Sequence, residues 1–192
     1  QNYFNREIIC VPNGVDLSNF KFKSLSREKK SILFVGRLVK GKGLLNLFEL
    51  AEKLSDYNFT IIGDGPLYDA INLSNVSFEG EKSSQELNYY YNNNMFTLLP
   101  GSEENFPLDG LEAMSCGSIV VSHRNGFSNY IEDGVDGILF DNCSADNLHT
   151  FFKQNINNIN IEKIRKKAIK KSMKYNWDSV CKIYEKIYGE IL

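Results

Sequence analysis

Two glutamates, Glu104 and Glu112, are separated by seven residues in the stretch Leu99-Pro-Gly-Ser-Glu-Glu-Asn-Phe-Pro-Leu-Asp-Gly-Leu-Glu-Ala-Met114. A loop-borne acid followed by a helix-borne acid can face one crevice. Carboxylates there accept hydrogen bonds from sugar or ribose hydroxyls, while backbone N–H groups near Asn105 to Leu108 meet charged oxygens. Paired carboxylates also serve glycoside hydrolysis, which needs a separation that sequence does not fix. Taken singly, Glu103, Glu104 and Glu112 are ordinary surface acids. A second cluster is Gly36-Arg-Leu-Val-Lys-Gly-Lys-Gly43, which follows an apolar run and opens a helix. Free N–H groups and the positive helix end favour an anion there. Arg37 offers a bidentate fork and Lys42 a compact charge, both suited to phosphate. A solvated turn carries the same residues.

Three neighbouring patterns fail at the residue that matters. The Gly36–Gly43 loop nearly matches a phosphate-binding Walker loop, but Gly43 stands where the magnesium-binding hydroxyl is required. Gly63-Asp-Gly65 is followed by Pro66 and Leu67, so no dinucleotide-binding glycine pattern forms. Cys10, Cys116, Cys143 and Cys181 are far apart and only His123 and His149 join them, which gives no zinc-ligand spacing. The four cysteines read as reduced thiols, and Cys116 has no sequence-adjacent base to activate it. His123 after a strand reads as structural.

The elements that must position these residues alternate. Strands are expected at Ser31–Gly36, Asn58–Ile62, Val76–Phe78, Met95–Leu99, Ile119–Val121 and Ile138–Phe140. Between them, helices are expected over Gly43–Leu54, Pro66 to about Leu73, and Gln85–Tyr91 with Ser83 or Ser84 as its cap. Another carries Leu111–Met114 and stops at Gly117. The tail from Ala145 is helical, broken around Asn155–Asn160, and its last segment puts Trp177, Val180, Ile183, Tyr184, Ile187, Tyr188 and Ile191 on one face. Trp177 reads as a core anchor, and Tyr89, Tyr90 and Tyr91 as helix packing and surface. Continuous apolar strands alternating with helices specify an α/β fold, a Rossmann-like doubly wound parallel sheet of about six strands with helices on both faces and a helical C-terminal extension. Ligands bind outside the carboxyl ends of such strands, where the unusual loops lie.

The 192 residues, 42% apolar and 24% charged, suit one globular domain and exclude a disordered or disulfide-scaffold reading. A net charge of −2 argues against a nucleic-acid partner. No apolar run approaches the roughly 20 residues of a membrane span.

In order, Val11-Pro-Asn-Gly-Val-Asp16, Phe34-Val-Gly-Arg37 with Lys42-Gly43, Ile62-Gly-Asp-Gly-Pro66, Glu104-Asn-Phe-Pro107 and Leu111-Glu-Ala-Met-Ser-Cys-Gly117 resemble retaining glycosyltransferases of the GT-B fold, family-four type, also called glycosyl transferases group 1. The resemblance runs from about Ile8 to Tyr188. It implies that Arg37 and Lys42, beside Gly36, contact the diphosphate of a nucleotide sugar. It implies that Glu104 contacts the transferred sugar, with main-chain donors from Asn105, Phe106, Pro107 and Leu108, and that Glu112 binds the ribose. Lys82, in Gly80-Glu-Lys-Ser83, falls where the base is held. Catalysis is expected from Glu104, Arg37 and Lys42, by front-side attack with retention, without a metal or other cofactor. No Asp-x-Asp occurs, in keeping with that expectation.

The resemblance also divides the chain into a hinge (1–20), a nucleotide-sugar-binding domain (21–175) and a C-terminal helix (176–192). The acceptor would be held by an N-terminal domain absent from the chain, leaving a complete fold and an incomplete enzyme, close to inactive alone. The expected location is cytoplasmic, with any membrane association running through that missing domain, and the expected role is polysaccharide, glycan or glycolipid biosynthesis. A non-catalytic nucleotide-sugar-binding module is the alternative. Two departures stand out: Asn125-Gly-Phe-Ser-Asn129 where the family often has Gly-Gly-x-Pro-Glu, and Ser118-Ile119 where proline is common.

Overall fold

Runs such as Ile32-Leu-Phe-Val35 and Ile119-Val-Val121 are apolar on both pleat faces, so they can be stable only inside a sheet covered on both sides. A computed structural model describes residues 9–191 and places them there. The first eight residues, part of the expected hinge, lie outside the described region, as does Leu192.

Six strands, β1 (Glu28–Val35), β2 (Asn58–Ile62), β3 (Val76–Gly80), β4 (Asn94–Leu99), β5 (Ile119–His123) and β6 (Ile138–Phe140), form one sheet in the order β3-β2-β1-β4-β5-β6. Every pairing is parallel; Phe34 stands opposite Ile61, and Leu98 opposite Val121. The order reverses between β1 and β4, which makes their carboxyl ends the topological switch point. Alternate residues serve the two layers. Ile32, Phe34, Phe59, Ile61, Phe96 and Leu98 join one core with helix α1 (Leu44–Lys53) and helix α5 (Ala145–Thr150). Leu33, Ile62, Leu99 and Val120 join the other with Tyr91 of α2 (Ser84–Asn93), Leu111 and Met114 of α3 (Leu108–Cys116), and Ala168 of α6 (Ile161–Ser172).

The helices follow local rules. Buried Leu44, Leu47, Phe48 and Ala51 recur at helical spacing on α1. Ser83, not Ser84, caps α2 through a reciprocal box with Glu86. A single kinked turn, α4 (Arg124–Phe127), follows β5. Beyond α5 the chain passes through irregular helical turns at 151–158 before α6, where the asparagine-rich break was expected.

Two expectations need correction. No helix forms from Pro66 to Leu73: the segment is a series of turns, and Leu67 N–H donates to the Leu38 carbonyl instead of starting a helical ladder. Leu67, Ile71 and Leu73 still pack against the core. On α7 (Trp177–Ile191), Val180 is buried, but Trp177 is 46% exposed, as are much of Ile183, Tyr184 and Tyr188. Trp177 is therefore no core anchor. Its indole lies against Gly14, where an added Cβ would stand 2.6 Å from the ring. Among the described residues no helix is long and apolar enough to cross a membrane.

Candidate functional site

The loops after β1 and β2 are zipped together. Gly36 N–H donates to Ile62 O (3.0 Å) and Leu38 N–H to Asp64 O (2.9 Å). Beside this seam a cleft of about 410 Å³ opens, lined by Gly36, Arg37, Asp64, Glu81, Lys82 and Leu87. Arg37 is exposed, and its guanidinium has no partner among the described residues. Lys82 is half-buried, 3.8 Å from Glu79 and 5.9 Å from the centre of the Tyr90 ring. A free guanidinium and a second cation in one cleft suit an anionic or hydrogen-bonding ligand.

On the other side of the β1 loop, a turn of 3₁₀ helix (Lys40–Lys42) ends at Gly43, whose φ of +77° starts α1. A Cβ at Gly43 would lie 2.8 Å from the Pro100 carbonyl carbon, so the β1 and β4 loops touch here. That contact brings Lys42 onto Glu104: the Nζ and Oε1 atoms form an ion pair, with the two side chains 24% and 16% exposed. A pair made by two loops at the switch point can deliver a cation to an incoming anion and a carboxylate to incoming hydroxyls.

The β4 loop is clamped from three sides. Tyr130 donates to Pro107 O (2.7 Å), Asn129 to Asn105 O (2.7 Å), Asn125 to Ser102 O (3.1 Å) and Asn13 to Phe106 O (3.1 Å). The Phe106 ring packs on Tyr130 and Tyr175, centroids 4.9 and 6.0 Å away. Pro107 is the N-cap of α3 and offers no side-chain cap. Proline has no N–H, so the expectation of a main-chain donor at Pro107 is wrong. Asn105, Phe106 and Leu108 keep theirs.

The structure brings together Lys42 and Glu104, and separately Gly36, Arg37 and Lys82. Glu112 sits apart from both, one helical turn further along α3, and accepts from the Tyr91 hydroxyl at 3.1 Å. Burial raises its carboxyl above the usual range, partly offset by that hydrogen bond. Tyr91 is fully buried, Tyr90 donates to Glu79, and Tyr89 is exposed. His123 accepts from Asn125 N–H through Nδ1, a turn-stabilising contact.

One residue escaped the sequence reading. Asp109, in the first turn of α3, has its carboxyl pushed up to about 7, chiefly by burial and then by the nearby Glu104 charge, with Lys42 opposing. Its Oδ1 accepts from Gly110 N–H at 2.9 Å. In sequence it looks like an ordinary first-turn acid complementing the helix dipole. The only signal was its position between the two glutamates.

Fold and site together define a class: a doubly wound α/β domain whose β1 loop carries Arg37 into a cleft on the β2 side and Lys42 onto Glu104 at the switch point. The chain belongs to the glycosyl transferases group 1 family, whose profile matches residues 17–174. An uncharacterized glycosyltransferase of Methanocaldococcus jannaschii is 30% identical over the whole of this chain and 56% of its own length. The chain thus spans about half of that relative. Sucrose-phosphate synthase from Thermosynechococcus elongatus superposes with a TM-score of 0.84 at 20% identity, over 94% of this chain and 52% of that one. Anabaena HepE, in complex with UDP-glucose, superposes at 0.76 with 18% identity, over 94% of this chain and 56% of that one. These superpositions establish the GT-B Rossmann-like fold.

Proposed function

We propose that this chain is the donor-binding half of a glycosyltransferase that moves a sugar from a nucleotide-diphosphate sugar to an acceptor with retention of configuration. The observation that carries the reading is the Lys42–Glu104 pair across the switch point, with unpaired Arg37 in the adjoining cleft. The UDP-glucose held by the structurally similar Anabaena protein supports a nucleotide sugar as ligand.

Departure of the nucleoside diphosphate builds negative charge on its phosphates, and preorganised cations and N–H groups lower the barrier by meeting that charge. Arg37 and Lys42 supply the cations. The uncapped first turn of α1 supplies N–H groups. Glu104 holds Lys42 in place before the donor arrives and accepts from hydroxyls of the sugar afterwards. Glu112 binds the ribose, and Lys82 lies beside the base. The leaving phosphate takes the acceptor's proton, so the reading needs no side-chain base and no metal. The acceptor is held by a second domain, and the chain alone binds donor but turns over poorly. The whole protein works on a glycan, polysaccharide or glycolipid in the cytoplasm.

A thermal-shift panel of UDP-, GDP- and ADP-sugars tests the donor site. A ligand present at 100 times its Kd stabilises by about 2.7 kcal/mol, and one nucleotide class is expected to do so. No shift with any of the three, or an unchanged shift in Arg37→Ala/Glu112→Ala, overturns the assignment.

A further inference from the structure

Five lysines, Lys163, Lys166, Lys167, Lys170 and Lys174, follow the spacing i, i+3, i+4, i+7, i+11 along α6 and the turn that continues it. At 100° per residue they fall within an arc of about 100°, over about 16 Å. All five are exposed, and no ammonium among them has an ion-pair or hydrogen-bond partner among the described residues. The other basic residues of the same helix are paired: Arg165 with Glu162, and Lys171 with buried Asp136 at 3.2 Å. Like charges at i, i+4, here Lys163/Lys167, Lys166/Lys170 and Lys170/Lys174, disfavour a helix. The chain as a whole carries −2, so the cluster is a local reversal of sign. At a Debye length of roughly 10 Å in 0.1 M salt the five act as one patch, while distant acids are screened.

An apolar groove of about 400 Å³ runs beside the patch, lined by Leu17, Phe20, Phe22, Ile169 and Met173. Phe22 is 43% and Met173 54% exposed. Ammonium groups flanked by exposed apolar side chains match the two layers of a lipid surface, phosphate outside and hydrocarbon below.

We propose that this face of α6 docks the protein onto an anionic phospholipid membrane. It is a contact made by this domain itself, and it stands whether or not the domain transfers sugar.

The test is co-sedimentation of the chain with vesicles of phosphatidylcholine alone or with 30% phosphatidylglycerol. Binding is expected only to the anionic vesicles, falling steeply between 50 and 500 mM NaCl. At about a fivefold gain per lysine near such a surface, Lys166→Gln/Lys170→Gln loses roughly 25-fold in partition. Lys40→Gln/Lys182→Gln, which removes two exposed lysines off this face, keeps its binding. Circular dichroism verifies that both variants fold, and the wild-type salt titration stands independently of them. No binding to anionic vesicles, equal binding to both vesicle types, equal losses in the two variants, or retention by duplex DNA but not by vesicles overturns the proposal.

Discussion

Lys42 and Glu104 are 62 residues apart in sequence and meet as an ion pair because the loops after β1 and β4 touch at Gly43 and Pro100. Each is the other's charge partner, and the two side chains are only 24% and 16% exposed. Removing one leaves the other charge partly buried without its partner, which costs more than losing a pair on the open surface.

A double-mutant cycle reads this directly. Lys42→Met and Glu104→Gln are each expected to destabilise the fold by about 1–3 kcal/mol. The double variant is expected to lose less than their sum, with a coupling of about 0.5–3 kcal/mol in urea denaturation. Strict additivity would show that the contact does not form in solution. In nucleotide binding the two singles should part: Lys42→Met abolishes the diphosphate contact, whereas Glu104→Gln keeps it and weakens only the sugar's contribution.

Asp109 gives the domain a pH signature. Its folded-state value of about 7 lies above the ordinary 3.8, so the folded protein binds the extra proton more tightly than the unfolded chain. Stability contributed by that proton is present at low pH and is lost as pH rises from about 4 through about 7, at up to about 1.3 kcal/mol per pH unit. Asp109→Asn removes this slope. Urea unfolding at pH 5 and pH 8 is expected to show the variant gaining on wild type at pH 8. Parallel pH profiles for the two proteins would refute the assignment.

How far this was legible in sequence depends on the range of the interaction. The strands were legible because Ile32–Val35 and Ile119–Val121 are short, rich in β-branched residues and bounded by Gly36 and Gly117. The α2 cap was legible only as Ser83 or Ser84, and the reciprocal hydrogen bonds with Glu86, three residues beyond Ser83, decide for Ser83. The segment after Pro66 was misread because a long-range partner, the Leu38 carbonyl, takes the N–H of Leu67. The Trp177 stripe has helical period, but period reports amphipathicity and not what covers the apolar face. Arg37 and Lys42, read together as a basic pair, serve opposite sides of the β1 loop: one in the β2-side cleft, the other on Glu104. Asp109 was invisible because its burial is set by that same loop packing.

Gly126 separates steric from conformational cost. It adopts φ +72°, and a Cβ there would stand 2.3 Å from the Glu104 carbonyl oxygen. Gly134 has a similar φ of +69° but open space around it. Gly134→Ala is therefore expected to cost only the left-handed penalty, about 1–2 kcal/mol, and to leave ligand binding unchanged. Gly126→Ala must also push the β4 loop away from its place, so it should cost more and weaken nucleotide-sugar binding. Thermal melts with and without ligand measure both effects, and equal behaviour of the two variants would contradict the packing of α4 on Glu104.

Arg27 is the structural counterpart of the site cations. Its buried guanidinium donates to the carbonyls of Tyr91 (2.6 Å), Asn94 (2.9 Å) and Cys116 (2.5 Å), tying the C-terminal ends of α2 and α3 to the start of β4. Burial lowers its pKa to about 10, with the neighbouring Arg165 adding to the shift, yet it stays charged at neutral pH. Arg165 continues the staple by donating to Gly117 O at 2.9 Å. Helix-end carbonyls otherwise left without partners are costly when buried. Arg27→Met is expected to destabilise by about 3 kcal/mol or more, since it strips three carbonyls at once. Arg27→Lys should recover little, because one ammonium on a flexible stem does not reproduce a planar fork that reaches two helix ends. Denaturation midpoints of the two variants measure this, and a Lys variant as stable as wild type would show that charge alone, not the fork geometry, holds α3 in place.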